Sequence, residues 1–482
     1  MESVQAGSGW SAIVQEQADP DRPVFVTAQE TWSWSTLLGR AGGAAAVLDD
    51  LGIPAGTPVP GLIDHVGLSL ALTLGGASTG HPYAPFGTRL TTSELSAMLR
   101  RLGSPVLLTD AAHAEHAAQV AAAAGCRSVT LPDLPLTAPP PPPGPDAVTA
   151  ILHTSGTTGL PKQVAFTERT LEARLHCLEG VVTLGPGDTY LVASSVHHVA
   201  GFGNAVLTIG RGGTVASFPR FSVDAWKELR DKNITHTLIV PTMINDLLRA
   251  GALDIHPKLR VLSYGAAPMR PDLLRTVMET LPNVSLLQLF GQTEGTPITG
   301  LTPTDHQRAR DGRSDLLRSV GRPVPGVEIR LADVSPEGIG EVYARGPHLC
   351  GIGADGWLHT GDLGHLDGEG YLFLDGRAGD TINRGGENVR PQEVEEVLRA
   401  HPVVAEVAVA GVPDDRLGET VAAFVVPKDP GATPDWEALR EFARAQLAGF
   451  KVPAVWHVVD ELPRNPSGKV LRRVLAQEFA QA

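Results

Sequence analysis

The strongest local signal in the chain is the stretch Val148-Thr149-Ala150-Ile151-Leu152-His153 followed by Thr154-Ser155-Gly156-Thr157-Thr158-Gly159-Leu160-Pro161-Lys162. Its first part is apolar and β-branched, which predicts a buried strand. Its second part combines glycines, hydroxyl side chains and a lysine, so that backbone and side-chain donors can surround an anion. We therefore expect a strand that delivers a phosphate-binding loop. The spacing differs from the Gly-x-x-x-x-Gly-Lys pattern of the P-loop, and a mobile turn remains an alternative for the loop alone.

Around this loop, short apolar runs alternate with helix-like segments, which is the pattern of a layered α/β protein. The pattern predicts strands over Val106–Thr109, Val261–Tyr264 and Val284–Leu289, and helices over Trp34–Leu51, Ser93–Leu102 and Pro271–Leu281. The proline-rich segment Pro139–Pro143 predicts an extended connector on the surface. We expect one large N-terminal α/β body over residues 1–378.

The last part of the chain has a different pattern. It predicts helices over Val394–Leu398 and Trp436–Leu447, and strands over Val403–Val409 and Val421–Val426. These elements are few and close together, which indicates a small α+β domain. We expect this C-terminal domain to cover residues 379–482 and to be mobile relative to the body.

Composition excludes several classes of function. The chain has 482 residues and a formal net charge of -14, which argues against a general electrostatic grip on nucleic acid or on an anionic membrane. The cysteines, Cys126, Cys177 and Cys350, are widely spaced and fit a reducing compartment better than disulfides or zinc. The apolar runs Val66–Ala77 and Val192–Ile209 are short and interrupted, unlike a membrane span. No basic segment followed by an apolar run opens the sequence, so we expect a cytoplasmic protein.

Further short motifs follow the loop in a fixed order along nearly the whole chain. They are Ser195-Val196-His197-His198-Val199-Ala200-Gly201-Phe202, Gly265-Ala266-Ala267-Pro268, Gln288-Leu289-Phe290-Gly291-Gln292-Thr293-Glu294, Thr360-Gly361-Asp362, the segment from Gly376 to Glu395, and Pro463-Arg464-Asn465-Pro466-Ser467-Gly468-Lys469. Each motif alone has an ordinary explanation, because paired histidines are usually packed and a single surface Glu or Lys is usually solvated. Together, and in this order, they resemble the superfamily of adenylate-forming enzymes, which includes acyl-CoA synthetases, peptide-synthetase adenylation domains and firefly luciferase.

The resemblance implies a fold and a nucleotide site. It implies catalytic roles for Lys469, Glu294, Thr293 and Thr154, with Glu294 also binding Mg²⁺, a hard cation that prefers carboxylate and phosphate oxygens. It further implies that ATP and the acceptor CoA are bound by Ser155, Gly156, Thr157, Thr158, Gly159, Lys162, Gly265, Ala266, Ala267, Gln288, Phe290, Gly291, Asp362, Arg377, Gly385 and Gly386. In this match Asp362 accepts from the ribose hydroxyls and Lys469 bridges the substrate carboxylate and the α-phosphate.

The resemblance also implies an acyl pocket. Its lining would be His197, His198, Ala200, Gly201, Tyr264 and Pro297. No Asp occupies the acyl-site motif, where amino-acid-activating domains usually keep one for the α-amine, so an α-amino acid is disfavoured. We expect a bulky hydrophobic, aryl or polycyclic carboxylic acid.

The chain departs from the family pattern at three positions. Phe290 stands in place of Tyr, which keeps stacking on adenine but loses the phenol hydrogen bond. Gln163 stands where the family usually has Gly. Gly379 stands at the expected hinge, where the family usually carries Asp or Lys, and glycine would set the domain orientations less firmly.

The resemblance is strongest to acyl-CoA and aryl-CoA ligases, because the string Gly385-Gly386-Glu387-Asn388 resembles the loop that lines their pantetheine tunnel. It therefore implies ATP-dependent formation of an acyl-adenylate, then transfer to CoA. Two alternatives stay open. The enzyme could pass its acyl-adenylate to a carrier protein or a separate transferase, or the chain could be a nucleotide-binding module without turnover. The sequence leaves the oligomeric state open, with a homodimer as one possibility.

Overall fold

The computed structural model describes residues 9–154, 162–267, 269–384, 387–414, 416–464 and 468–481. The chain divides into two compact units. The first extends to Glu328 and also includes Arg345–Leu358, while the second comprises Ile329–Ala344 and continues from His359. The expected domain boundary between residues 378 and 379 lies inside this second unit and remains a prediction.

Within the described residues the strands, in chain order, are β1 (Pro23–Val26), β2 (Thr31–Ser33), β3 (Val59–Leu62), β4 (Tyr83–Pro85), β5 (Val106–Thr109), β6 (Arg127–Thr130), β7 (Val148–Thr154), β8 (Lys162–Thr167), β9 (Thr189–Val192), β10 (Thr214–Ser217), β11 (His236–Ile239), β12 (Val261–Gly265), β13 (Ser285–Gln292), β14 (Gly295–Leu301), β15 (Arg322–Pro323), β16 (Glu328–Ala332), β17 (Gly340–Arg345), β18 (Leu358–Leu366), β19 (Leu372–Arg377), β20 (Ile382–Arg384), β21 (Glu387–Val389), β22 (Val404–Asp414), β23 (Gly418–Pro427) and β24 (Val455–Val458).

The α-helices of the same residues are α1 (Trp10–Glu16), α2 (Trp34–Asp50), α3 (Val66–Ser78), α4 (Thr92–Leu102), α5 (Ala114–Ala124), α6 (Glu168–Cys177), α7 (Val199–Gly210), α8 (Val223–Glu228), α9 (Pro241–Arg249), α10 (Pro271–Thr280), α11 (Pro303–Arg310), α12 (Pro391–Arg399), α13 (Trp436–Arg444) and α14 (Arg472–Gln481).

The first unit contains two sheets. The larger has the order β15-β14-β13-β12-β11-β9-β10-β1-β2, in which the strands from β13 to β1 run parallel. The other has the order β6-β5-β3-β4-β7-β8 and is parallel except for β8. Strands such as β5, β9 and β11 are buried along their whole length, as expected for parallel strands covered on both faces. The predicted α/β class is confirmed.

The helices begin and end at local sequence signals. Thr91 and Glu94 form a reciprocal capping box at the start of α4, and Gly103, with φ 73°, ends it. The apolar runs predicted as core are the buried helices α3 and α7. In the part of the chain that the structure describes, no helix has the length and apolarity that a bilayer crossing requires.

A buried tyrosine and histidine join two elements of the first unit. The Tyr264 ring on β12 is fully buried, and its hydroxyl lies 2.9 Å from Nε2 of His306 on α11. Nδ1 of His306 lies 2.7 Å from the carbonyl oxygen of Thr302. Because a carbonyl oxygen only accepts, Nδ1 carries the proton and Nε2 accepts from Tyr264. Burial lowers the pKa of His306 to about 4.

The second unit also contains two sheets. One has the order β16-β17-β18-β19, and the other has the order β21-β20-β23-β22, in which β23 also pairs in parallel with β24. One side of the second sheet packs against α12 and α13 through Val394, Leu398 and Leu439. The small C-terminal α+β domain expected from the sequence is therefore confirmed as a fold.

A buried ion-pair network stabilises the second unit. Arg472, at the start of α14, donates from Nε and Nη2 to both carboxylate oxygens of Glu395 on α12, at 3.0 and 2.9 Å. Its Nη1 lies 3.2 Å from Oδ2 of Asp380, in the short turn after β19. Glu395 also accepts from the backbone N–H of Val409. These contacts join three separate segments of the unit around one guanidinium.

The first prediction concerns His306. A histidine whose folded pKa lies near 4, against an ordinary 6.5, stabilises the fold fully above pH 6.5 and loses that stabilisation as the pH falls towards 4. We expect the free energy of unfolding to drop over that window. His306→Gln should make the drop in the free energy of unfolding between pH 6.5 and 4 smaller by on the order of 1 to 3 kcal/mol.

Urea unfolding at several pH values measures this effect. The matched control is His176→Gln, because the His176 side chain is 60% exposed. An unchanged pH dependence in His306→Gln would show that the pKa of this histidine is the same in the folded and unfolded protein. Burial also lowers the pKa of His153, His256 and His348 to about 4, so the variant should remove only part of the acid sensitivity.

The second prediction concerns Arg472. Arg472→Met removes both hydrogen bonds from the guanidinium to the buried Glu395 carboxylate and leaves it the longer contact with Arg399, at 4.0 Å, which should destabilise the protein by about 3 kcal/mol. The double variant Arg472→Met/Glu395→Met removes both charges and should recover most of that loss. Arg473→Met, on the exposed side of the same helix, serves as the control and should shift stability by no more than about 0.5 kcal/mol. Equal losses in the single and double variants would contradict a buried ion pair.

Candidate active site

Several of the predicted site residues follow the carboxyl ends of parallel strands in one sheet. His197 and His198 follow β9, Gly265 ends β12 and leads into Ala266, and Glu294 follows β13. These strands lie side by side in the order β13-β12-β11-β9. Because the carboxyl ends of parallel strands meet at one edge of a sheet, the motifs converge there although they are far apart in sequence.

Thr293 and Glu294 form the tight turn between β13 and β14, where Gln292 pairs with Gly295. The backbone carbonyl of Glu294 accepts from the N–H of Cys350 at 2.6 Å, which holds the turn from the other side. Within the described ranges, no hydrogen bond or ion pair engages the Glu294 carboxylate. A partly exposed carboxylate without a cationic partner fits a divalent cation whose other ligands are phosphate oxygens.

The small-residue turn after β12 is set by close packing. A side chain at Gly265 would bring its Cβ to 2.5 Å from the carbonyl oxygen of Leu289, so only glycine fits. Ala266 follows with φ 62°, a left-handed conformation that L side chains rarely adopt. Such backbone strain persists at sites that bind ligands closely. This turn therefore matches the flat, unobstructed surface predicted for a nucleotide base.

The other residues predicted to bind the base lie next to this turn. Gln288 pairs with Tyr264 across β12 and β13, and it is buried. Phe290 and Gly291 follow it on β13 and are partly buried. The structure thus brings Gln288, Phe290 and Gly291 beside the Gly265 turn, because both segments are ends of adjacent strands.

His197 and His198 form a close pair at the start of α7. Their ring centroids lie 3.9 Å apart, and Nδ1 of His197 lies 2.7 Å from the hydroxyl of Ser195. Burial, followed by the charge of Arg89, lowers the pKa of His198 to about 4. Burial also lowers the pKa of His197 strongly. Nε2 of His198 is buried without a hydrogen-bond partner among the described residues, which is unusual for a polar atom and is consistent with a ligand-binding position.

The remaining predicted acyl-pocket residues divide into two groups. Ala200 and Gly201 lie in the first turn of α7, directly after the histidine pair. Pro297 lies on β14, where its carbonyl oxygen is 2.8 Å from Nε2 of His348. Tyr264 lies on β12 with its ring fully buried and its hydroxyl 2.9 Å from Nε2 of His306. Its place in the acyl pocket stays a prediction.

The phosphate loop is described only at its two ends. Thr154 ends β7 and Lys162 begins β8, and the two residues are direct antiparallel partners. The predicted residues Ser155, Gly156, Thr157, Thr158 and Gly159 lie outside the described residues. The buried strand predicted over Val148–His153 is therefore observed as β7, and the role of the loop stays a prediction.

The second unit brings together the predicted ribose-binding pair. Asp362 on β18 is the direct partner of Arg377 on β19. Nε of Arg377 lies 2.8 Å from Oδ1 of Asp362, whose side chain is only 9% exposed. Burial raises the pKa of Asp362, against the opposing effects of Arg377 and Lys469. The pair presents a nearly buried carboxylate held in place by a guanidinium.

Lys469 lies near this pair, although it is distant in sequence. Burial and the charge of Arg377 lower the pKa of Lys469, while Asp380 and Asp362 raise it. Nη1 of Arg464 donates to the carbonyl oxygen of Gly468, the residue before Lys469, at 2.9 Å. The sequence did not single out Arg472, Glu395 or Asp380, because only the packing of α14 on α12 shows that they join this cluster.

The predicted CoA-contacting residues Gly385 and Gly386 lie outside the described residues. Their neighbours are described, and Arg384 of β20 pairs directly with Glu387 of β21. In the described part of the chain, no group of three or more His, Cys, Asp or Glu side chains could hold a metal ion. A cation at Glu294 would therefore depend on the bound nucleotide for its other ligands.

Comparison with known families gives the same assignment for both parts of the chain. The family described as AMP-binding enzyme matches residues 14–351. The family described as AMP-binding enzyme C-terminal domain matches residues 393–469. The two matches cover most of the chain, from the first unit to the lysine of the last motif.

Individual relatives span nearly the full length. The chain is 33% identical to the fatty acid–[acyl-carrier-protein] ligase ScoC of Streptomyces coeruleorubidus, over 96% of this chain and 94% of that one. The crystal structure of ATP-bound MatB from Rhodopseudomonas palustris is similar with a TM-score of 0.85 and 29% identity, over 97% of this chain and 99% of the other. The o-succinylbenzoate CoA synthetase (MenE) of Bacillus subtilis, in complex with its acyl-adenylate intermediate, is similar with a TM-score of 0.81 and 27% identity, over 97% of both chains. The chain therefore belongs to the AMP-binding enzyme family, as an adenylate-forming ligase of the kind that includes the acyl-CoA synthetases.

Proposed function

We propose that the protein uses ATP to convert a hydrophobic, aryl or polycyclic carboxylic acid into an acyl-adenylate, and then transfers the acyl group to CoA with release of AMP. In the first step the substrate carboxylate attacks the α-phosphorus of ATP and pyrophosphate leaves. In the second, the CoA thiol attacks the acyl carbon and expels AMP. Because no protein nucleophile is needed, catalysis depends on positioning and charge stabilisation.

The observation that carries this proposal is the cluster of Asp362, Arg377 and Lys469 in the second unit. A carboxylate has two oxygens and can accept from both ribose hydroxyls, while Arg377 holds it in place. Lys469 offers a compact ammonium, suited to negative charge that moves between a substrate carboxylate and an α-phosphate. These are the groups that the first half-reaction needs.

The first unit would hold the rest of the nucleotide. The turn at Gly265 and the Phe290 ring would take up the adenine, and Thr154 and Thr293 would donate to the phosphates. Glu294 would hold Mg²⁺, which supplies charge neutralisation for the departing pyrophosphate. The Ser155–Gly159 loop and Lys162 would complete the phosphate site.

The acid substrate would bind at the start of α7. His198 has a buried Nε2 without a hydrogen-bond partner in the described part of the chain. Ala200 beside it is small, whereas Gly201 packs against the backbone, because a Cβ there would lie 2.2 Å from the carbonyl oxygen of Ser195. The absence of an acidic residue from this motif disfavours α-amino acids. One solved relative acts by name on o-succinylbenzoate, an aromatic acid, which supports the aryl class.

The acceptor assignment depends on the second unit. The string Gly385-Gly386-Glu387-Asn388 favours CoA, and Gly379 would be the hinge about which residues 379–482 rotate between the two half-reactions. A carrier protein is the second candidate, because the relative ScoC is by name an acyl-carrier-protein ligase. The two acceptors share the thiol chemistry and differ in what surrounds the thiol.

The third prediction tests the activity directly. Pyrophosphate exchange is measured against fatty, aryl, polycyclic and amino acids, and AMP release is then measured with CoA, with a pantetheinylated carrier protein, or without acceptor. We expect exchange with hydrophobic or aryl acids and CoA-dependent AMP release. Lys469→Ala should lower exchange by about 100- to 1,000-fold, because it removes charge stabilisation of the transition state.

Each other outcome has a defined meaning. Preference for free amino acids would refute the proposed substrate class. AMP release that depends on the carrier protein and not on CoA would establish the second candidate. No exchange with any acid would indicate a nucleotide-binding module without turnover. Lys428→Ala, at an exposed lysine of the second unit, is the matched control for Lys469→Ala and should keep full exchange.

The fourth prediction concerns Gly379. Nothing lies within 4 Å of a Cβ built at this position, so Gly379→Asp should fold normally. If residue 379 is the hinge, a side chain should restrict its backbone by about 0.5 to 1 kcal/mol, which corresponds to a change of roughly two- to fivefold in the balance of the two half-reactions. We expect CoA-dependent thioester formation to change relative to pyrophosphate exchange.

The control is Gly368→Asp, at a glycine that also has nothing within 4 Å of its Cβ position. It should leave both rates and their ratio unaltered. An unchanged ratio in Gly379→Asp would place the hinge at another residue.

A further inference from the structure

Arg174 is a buried arginine that the proposed mechanism does not use. It lies on α6, and only 5% of the residue is exposed. Among the residues that the structure describes, its guanidinium makes no hydrogen bond and no ion pair, and its Nε is buried without a partner. Buried arginines are almost always paired, so the described residues leave this charge uncompensated.

In the part of the chain that the structure describes, no ionised acidic group acts on Arg174. Burial lowers the pKa of Arg174, and the ionisable groups that act on it in the opposite direction are Cys177 and Tyr190. Burial raises the pKa of Cys177 to about 11 and raises that of Tyr190 above its ordinary value, so both are neutral at neutral pH. An arginine stays protonated in proteins, and a buried charge without a partner is strongly unfavourable. An anion from outside the chain would compensate the buried charge of Arg174.

The guanidinium lies against the helix that carries the acyl-site motif. A Cβ at Gly203 of α7 would come within 2.8 Å of Nη2 of Arg174, so the glycine at 203 is what admits the arginine. Gly203 is about 7.5 Å along the helix from His198. Arg174 therefore lies deeper along α7 than the histidine pair.

Two further residues lie within electrostatic range of Arg174. Tyr190, which raises the pKa of Arg174, hydrogen-bonds to Ser263 on β12, the strand that ends at Gly265. His348 lies 2.8 Å from the carbonyl oxygen of Pro297, and burial, together with the charge of Arg174, lowers the pKa of His348 to about 4. Arg174 thus packs against α7 and influences the residue that holds Pro297.

We propose that Arg174 binds a second carboxylate of the acid substrate, at the end remote from the carboxyl group that is activated. This inference rests on the proposed function and narrows its substrate class to hydrophobic or aryl acids that carry a second carboxylate. A guanidinium matches a carboxylate with two parallel hydrogen bonds. The apolar surroundings strengthen that pairing and leave a substrate without the second charge unable to compensate the arginine.

The fifth prediction uses acids in matched pairs. Each pair is an aryl alkanoic acid and the same skeleton with a ring carboxylate, for example 4-phenylbutanoate and 4-(4-carboxyphenyl)butanoate. The wild-type protein should favour the diacid in kcat/KM of pyrophosphate exchange by on the order of 100-fold, the typical gain from a charged hydrogen-bonded pair. Arg174→Met should abolish this preference by raising the KM for the diacid. Arg174→Lys should keep part of the preference.

The control is Arg211→Met. Arg211 follows α7 and donates to the carbonyl oxygen of Leu175, one residue after Arg174. The variant Arg211→Met removes a nearby arginine and leaves the proposed carboxylate site intact, so the diacid preference should remain. Arg174→Met should fold at least as well as the wild type, because it removes an unpaired buried charge.

A binding measurement separates this inference from the proposed function. The shift in melting temperature caused by each acid alone requires no turnover, and the diacid should stabilise the wild type and Arg211→Met but not Arg174→Met. Absence of exchange with every acid would refute the proposed function, while the melting shifts still decide the role of Arg174. A wild type that favours the parent monoacid, or a diacid preference that survives in folded Arg174→Met, would overturn the inference. Should Arg174→Met not fold, the wild-type acid pairs and Arg174→Lys decide the outcome.

Discussion

The candidate site depends on one geometric constraint: the carboxyl ends of parallel strands lie along the same edge of their sheet. Strands β9, β12 and β13 belong to one sheet, and each is followed by a motif that is short and unremarkable by itself. Parallel pairing brings the histidine pair, the Gly265 turn and the Thr293-Glu294 turn to that edge. The close approach of Gly265 to Leu289 shows how little space the pairing leaves for side chains there.

Ion pairs, in addition to strand pairing, join the segments of the second unit. Arg472, Glu395 and Asp380 join α14, α12 and the turn after β19, and Lys469 lies three residues before Arg472 on the chain. The electrostatic influence of Asp362, Arg377 and Asp380 on Lys469 shows how near the lysine lies to these groups. The ion pair of Arg472 with Glu395 thus holds the start of α14, close in the chain to the lysine that is proposed to act in the chemistry.

The sequence predicted the fold class and most element types, because apolar periodicity and glycine or hydroxyl signals act over a few residues. The strands at Val106–Thr109 and Val261–Gly265 and the helix α4 follow such signals closely. The outer strands of the larger sheet were not predicted, because short strands such as β1 and β10 are defined by partners far away in sequence. The same limitation applies to the hydrogen bond between Tyr264 and His306, which joins β12 to α11 and which no local pattern indicates.

By itself, the sequence determined that this chain belongs with the adenylate-forming enzymes, because the order of several short motifs along nearly the whole chain is specific even where each motif is not. It could not show which charges are compensated. Only the tertiary structure decided that the Glu294 carboxylate has no cationic partner among the described residues, that Arg472 is paired twice, and that Arg174 is buried with no partner in that same part of the chain. The physical reason is that the energy of a charge depends on its burial and on its neighbours in space, and neither quantity can be obtained from the local order of residues.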